Sequence, residues 1–197
     1  MSLLDPIGTL LSLTATYYFT KARLCAWFIA IPAILINFIL YWQKGIYGHA
    51  MLESVYLLST LYGIMKWHEK KQKASRPISR LSSKAFYKIL AFSFILIGLF
   101  AFVLKHFFHS DIYLWDAATC VLALLAQWML CQKWIQCWMV WFIVDVMVGV
   151  INFYKGIPFH SLHHFIYLGM AVLGHLRWSR ILNPAHTGEY TSKMVTG

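Results

Sequence analysis

Residues 44–67 of this chain are written a second time, 111 positions later and without a gap. Lys44-Gly45-Ile46 recurs as Lys155-Gly156-Ile157, His49 as His160, Tyr56 as Tyr167, Gly63 as Gly174 and Trp67 as Trp178. Upstream, Trp27 pairs with Trp138 and Asp5 with Asp116 at the same offset. Two unrelated apolar windows of this length share only about 2 identities, so a gapless register carrying Gly, His and Trp is not chance resemblance. Two copies of one apolar half point to two similar helix bundles around a central path. In a membrane that plan most often belongs to a transporter.

Composition places the chain in the bilayer. It is 60% hydrophobic and 12% charged, with a mean hydropathy of +0.62. A soluble domain carries about 25% charged residues. The net charge of +10 does not call for nucleic acid, because the Lys and Arg lie in loops between apolar spans. Met1-Ser2-Leu3-Leu4-Asp5 lacks a basic n-region, so no cleaved signal peptide is expected. Cys25, Cys120, Cys131 and Cys137 lie in or beside apolar spans without CxxC spacing and read as reduced core residues.

Seven spans of near-bilayer length follow from hydropathy: about 5–20, 24–43, 47–67, 87–107, 113–131, 135–154 and 158–178. The first is the most polar (Thr9, Ser12, Thr14, Thr16) and is expected to pack inside a bundle. Residues 69–86 form a basic loop, and the stretch from 179 to 197 is a tail. With that loop in the cytoplasm, fourteen Lys and Arg fall inside and only Lys44, Lys105 and Lys155 outside. The positive-inside rule then sets the N-terminus outside and the C-terminus inside.

A repeat within seven spans implies a 3+1+3 plan. Residues 1–68 form the first three-helix bundle, 87–107 a linker helix and 113–178 the second bundle. Three spans invert the chain and the linker inverts it again, so the copies run parallel about an axis along the membrane normal.

On the sixth span Trp141, Asp145, Gly149 and Asn152 share one helical face. A charge at that depth costs a few kcal/mol, about 2.5–3.5 on insertion scales, unless paired or hydrated. Either Asp145 neutralises a cationic substrate while Trp141 stacks on its ring, or Asp145 is protonated or paired with a neighbouring His or Lys. Glu53 shares a face with His49, Tyr56, Thr60, Gly63 and Trp67. Its counterpart His164 shares one with His160, Tyr167, Ala171, Gly174 and Trp178. These two faces contact a ligand, or Glu53 and His164 pair and close the path. Asn37, and Gln127 beside Trp128, are the remaining deep candidates, as substrate contacts or as bridges between helices. Gly63 and Gly174 are expected to let helices approach closely. Trp27, Trp67, Trp138 and Trp178 are expected to anchor the cytoplasmic interface. Pro32 should kink the second span, facing protein or water.

At these residues the chain resembles the PnuC family of bacterial vitamin-precursor transporters, over essentially all seven spans. The similarity lies in Tyr56-(x6)-Gly63-xxx-Trp67, in Trp115-Asp116, in Trp138-xx-Trp141-xxx-Asp145 and in the run from Lys155-Gly156-Ile157 to Trp178. The resemblance implies an all-α membrane protein with a SWEET-like 3+1+3 fold, a homotrimer in the inner membrane, and no cofactor. It implies facilitated diffusion of nicotinamide riboside, trapped by cytosolic phosphorylation, with thiamine or riboflavin carried by related branches. Both nicotinamide riboside and thiamine are small cations with flat rings. Two departures stand out: Asp145 where the family usually has Asn, and Glu53 where nicotinamide riboside carriers commonly have Gln.

The rival reading is enzymatic. His160-Ser161-Leu162-His163-His164 and His106-Phe107-Phe108-His109 echo the histidine boxes of di-iron membrane oxidases. A di-iron site asks for more His ligands, with carboxylate support, than these supply. The charge bias also puts both boxes on the outer side. A small membrane scaffold, the third reading, would bind no ligand saturably. No Walker A pattern is present, so the chain does not hydrolyse ATP itself.

Overall fold

A computed structural model of the chain describes residues 4–43, 47–68, 77–107, 112–154 and 158–183. They form seven helices: α1 (Leu4–Thr20), α2 (Cys25–Gln43), α3 (Tyr47–His68), α4 (Ser83–Phe107), α5 (Tyr113–Cys131), α6 (Cys137–Tyr154) and α7 (Pro158–Leu182). Residues 69–76 of the basic loop and the tail from 184 lie outside the described residues.

The helix bounds follow the hydropathy reading, except that capping or polar residues extend α4 and α7 beyond their apolar cores and that α2 and α6 begin one and two residues later than expected, at Cys25 and Cys137. The Ser82 hydroxyl accepts the backbone N–H of Ala85 (3.3 Å), so α4 begins at Ser83 and takes in the end of the expected loop. α7 continues past Trp178 through Ser179 and Arg180, which need no lipid around them. The segment before α4 is tied to the turn between α5 and α6. Ser79 N–H donates to Lys133 O (3.0 Å) and Ile135 N–H to Ser79 O (3.1 Å). Gln136 holds both the N–H and the carbonyl of Leu81 (3.2 and 2.8 Å).

α1 packs on α2 and α2 on α3; α5 packs on α6 and α6 on α7. The two trios meet along α1–α7 and α3–α5, contacts that exchange when one trio is laid on the other. α4 packs on α5 and is long and apolar enough to cross a membrane, yet Phe92, Phe94, Ile95, Leu99 and Phe102 are all exposed. Such a surface is stable only in an apolar solvent. Among the described residues, Ser83–His106 and Tyr113–Cys131 are long and apolar enough by themselves to cross a membrane. α3 and α7 are diluted by the His, Glu and Tyr of their inward faces. Where helices touch, small residues predominate: Ala15, Ala26, Ala30, Ala33, Ala117, Ala123, Ala126 and Ala171 are all buried.

The two trios are locked at one end by four tryptophans. Trp27 and Trp67 meet edge-to-face at 5.3 Å and 88°; Trp138 and Trp178, their counterparts, meet at 5.5 Å and 89°. Trp67 donates its indole N–H to Leu130 O (3.2 Å), and Trp178 donates its own to Phe19 O (3.3 Å). Phe19 and Leu130 are themselves 111 positions apart, so the two bonds exchange halves, as contacts across a two-fold axis do. Ala22 (φ 52°) and Lys133 (φ 53°), another pair at that offset, are both left-handed, so the same turn is built twice.

Three expectations are corrected here. The four tryptophans are no interface anchors: they are 0–3% exposed and form the core between the trios. The indole of an anchor keeps one edge wet, whereas Trp67 and Trp178 satisfy their N–H groups on protein carbonyls. Pro32 lies on the exposed side of α2, away from protein. Cys25 is exposed at the start of α2, although Cys131 and Cys137 are buried and all four thiols are free.

Gly63 and Gly174 do allow close packing. A Cβ on Gly63 would collide with the ring carbons of Trp27, and one on Gly174 with those of Trp138. An aromatic ring pinned on both faces cannot yield, so Gly63→Ala and Gly174→Ala are each expected to cost about 1–3 kcal/mol. Both should lower the thermal unfolding temperature in detergent, and by similar amounts.

Candidate functional site

The Trp cluster closes one end of a cavity. Phe19, Leu130 and Trp138 belong to both the cluster and the cavity wall. Above them the helices enclose about 430 Å³, a volume suited to a small organic ligand. α1, α2, α3, α5, α6 and α7 all line it, while α4 contributes nothing. Most wall residues come in pairs 111 positions apart, among them Glu53 and His164, Tyr56 and Tyr167, Thr16 and Gln127, and Asn37 and Val148.

The structure brings eight of the expected residues to this wall: Asn37, Glu53, Tyr56, Gln127, Trp141, Asp145, His164 and Tyr167. Trp128 does not join them. It is exposed on the outer side of α5 and packs edge-to-face on Trp134 at 5.0 Å. A helix turns about 100° per residue, so Trp128 cannot share the inward face of Gln127. The Asn152 side chain lies outside the described residues, as do those of His49 and His160.

Asp145 is 5% exposed, and its Oδ1 lies 2.9 Å from Nδ1 of His164. This α6–α7 pair is the alternative in which Asp145 pairs with a neighbouring His, and it takes the place of the alternative Glu53–His164 pair. Glu53 instead has the Asn37 side-chain amide within hydrogen-bonding reach. The physical reason is helix adjacency: α6 packs directly on α7, while Glu53 faces His164 only across the cavity. Trp141 stands one turn from Asp145 on the same face, half-buried, with its ring on the wall. His163, beside His164, packs against Tyr167 at 4.7 Å with the rings tilted by 37°.

Other wall residues escaped the sequence reading as site residues. Thr60 is fully buried, lines the cavity and has a hydroxyl with no hydrogen-bond partner. Ser12 and Thr16 of α1 reach the Tyr167 hydroxyl. The polarity of the first span was the signal for these two. Gly8 makes room for Asn37, whose Oδ1 would stand 2.6 Å from an added Cβ. No Lys or Arg is found among the described residues of the wall. No group of three or more His, Cys, Asp or Glu among the described residues is arranged to hold a metal ion.

Residues 2–180 match the family described as nicotinamide mononucleotide transporter. The chain belongs to that family. It is 22% identical over 204 residues to the nicotinamide riboside transporter PnuC of Escherichia coli (strain K12), a match that covers 90% of this chain and 85% of the relative. The PnuC of Shigella flexneri matches equally, at 22% over the same length. The crystal structure of the vitamin B3 transporter PnuC superimposes with a TM-score of 0.76 at 16% identity, covering 93% of this chain and 83% of that one. The protein is therefore a multi-pass membrane transporter with the PnuC fold. Membership in a transporter family displaces the histidine-box oxidase.

The unpartnered Thr60 hydroxyl and the bonded Tyr167 hydroxyl make opposite predictions. Thr60→Val is expected to leave stability within about 0.5 kcal/mol of the parent or raise it, since no bond is lost. Tyr167→Phe should cost about 1 kcal/mol, as the contact between the phenol and Ser12 is lost, while Thr16 keeps its bond to the Ser12 carbonyl (2.9 Å). Thermal unfolding of the two variants in detergent separates them.

Proposed function

We propose that this chain carries nicotinamide riboside across the bacterial inner membrane by facilitated diffusion, the product being trapped by phosphorylation in the cytosol. The observation that carries this reading is the charge of the cavity wall. Two carboxylates, Asp145 and Glu53, face it, and no Lys or Arg does among the described residues. The family description speaks of a mononucleotide and the relatives' names of a riboside. A phosphate monoester brings a charge of about −1.5 to −2 at neutral pH and needs cationic partners. The riboside is a pyridinium cation, which a carboxylate attracts. Trp141 supplies an aromatic plane for the ring, while Asn37, Gln127, Tyr56 and Tyr167 supply hydrogen bonds for an amide and a ribose. The hydroxyl of Thr60 is a further donor.

Thiamine is the second reading. It too is a flat cation, and Glu53 can accept from an aminopyrimidine. The positive-inside count supports an outer N-terminus and an inner C-terminus. The resemblance to PnuC supports a homotrimer.

Titration calorimetry of purified protein with nicotinamide riboside, nicotinamide mononucleotide, thiamine and riboflavin tests the assignment. Heat from the riboside alone is the expected result; tighter binding of the mononucleotide would sink it. Asp145→Asn should weaken the riboside by roughly 10-fold or more, since hydrogen bonds to charged groups contribute about 1.5–3 kcal/mol. Trp141→Ala removes a stacking plane worth about 1–3 kcal/mol per base, and should depress uptake into cells to the same degree.

A further inference from the structure

Asp145 already has a partner in the cavity wall. Its Oδ1 is held at 2.9 Å by His164, whose side chain remains 21% exposed while that of Asp145 is 8% exposed. A cation that entered would meet a carboxylate already engaged by a neighbour of its own chain. We propose that His164 is a specificity-setting positioning residue: it occupies Asp145 as a resident partner that a cationic substrate must displace. This deepens the reading given under Proposed function and rests on it.

Several observations favour displacement over a static pair. The pair has no twin across the pseudo-two-fold axis, because the counterparts of Asp145 and His164 are Ile34 and Glu53. It is therefore not part of the scaffold that the repeat builds twice. The imidazole has room to leave. The Gly149 face beside it carries no side chain, and among the described residues an added Cβ there meets only the Cβ of His164 at 3.7 Å. The neighbouring rings of His163 and Tyr167 stand 5.8 and 6.1 Å from it, centroid to centroid. Trp141, the stacking plane, lies one turn from Asp145, so a ring seated there brings its charge toward the held carboxylate. Breaking the pair is repaid only by a ligand that carries positive charge. An uncharged ligand of the same shape gains nothing from the exchange, and binds with the pair intact. The contest at Asp145 thus tunes how strongly charge is rewarded, and a chain with a neutral amide at this position has no such contest.

The test compares nicotinamide riboside with its uncharged dihydro form, each titrated into purified protein. His164→Phe keeps the ring and removes the donor. The ratio of affinities, cation over neutral, is expected to rise about 10-fold in this variant, the equivalent of one charged hydrogen bond no longer competing. In the Asp145→Asn background the same change should leave the ratio where it was. If His164→Phe does not purify as a folded protein, His164→Met serves the same comparison. A ratio that falls or does not change in the folded variant overturns the inference, as does equal weakening of both ligands, which would make His164 an ordinary ligand contact. Failure of the unmodified protein to bind either form would overturn the substrate assignment and this inference together.

Discussion

The fold depends on two hydrogen bonds that are the same bond made twice. Trp67 reaches from α3 to the Leu130 carbonyl of α5, and Trp178 reaches from α7 to the Phe19 carbonyl of α1. In lipid there is no hydrophobic drive between helices, so association rests on close packing and on polar groups that find each other. These bonds supply both. Each adds a second donor to a carbonyl in the last turn of a helix, which already accepts the N–H of Ala22 or Lys133. Each indole sits against a second indole, which in turn lies on a bare glycine backbone. Trp67 and Trp178 meet across the axis at 6.4 Å. The ammonium of buried Lys133 covers the Trp67 ring at 4.4 Å, where its symmetry position holds only Ala22. The indole N–H groups of Trp27 and Trp138 have no partner, again as a matched pair.

Above this symmetric floor the wall departs from symmetry residue by residue. Trp141 stands opposite Ala30, Asp145 opposite Ile34, Asn37 opposite Val148 and Glu53 opposite His164. A two-fold cavity with a two-fold lining would offer an asymmetric ligand two equivalent poses. Substituting one member of each pair removes that equivalence. The duplicated backbone fixes where side chains can be placed, and divergence after duplication decides what they are. That division explains why identities across the repeat concentrate at Gly63, Trp67, Trp27 and their partners, while the cavity wall shares mainly Tyr56 and Tyr167.

Much of this was legible because the relevant signals are periodic. Hydropathy located the helices, α5 to the residue, and the offset of 111 implied the paired contacts. One helical face on α6 placed Trp141 and Asp145 together. What remained hidden were choices that a single helix does not contain. An indole near a helix end serves equally as a wet anchor or as a dry core residue. Only the carbonyls of Phe19 and Leu130, on other helices, decide between them. Glu53 and His164 occupy equivalent positions and looked like partners, yet equivalence under a two-fold axis puts them on opposite walls. Asp145 and His164 have no repeat relation and meet because α6 and α7 are neighbours. Trp128 was misplaced for a simpler reason: adjacency in sequence to Gln127 is a turn of about 100° around the helix.

The replacement of an amide by a carboxylate at Asp145 has a consequence for folding as well as for recognition. An Asn at this depth needs only hydrogen bonds, which a neighbouring backbone or hydroxyl can supply. An ionised Asp carries a penalty that hydrogen bonds from neutral groups offset incompletely. The chain meets that demand with the imidazole of His164, positioned on the adjacent helix. A ligand cation meets it equally well. The same penalty that favours the His164 contact at 2.9 Å would, under the proposed reading, favour a cation over an anion at this wall.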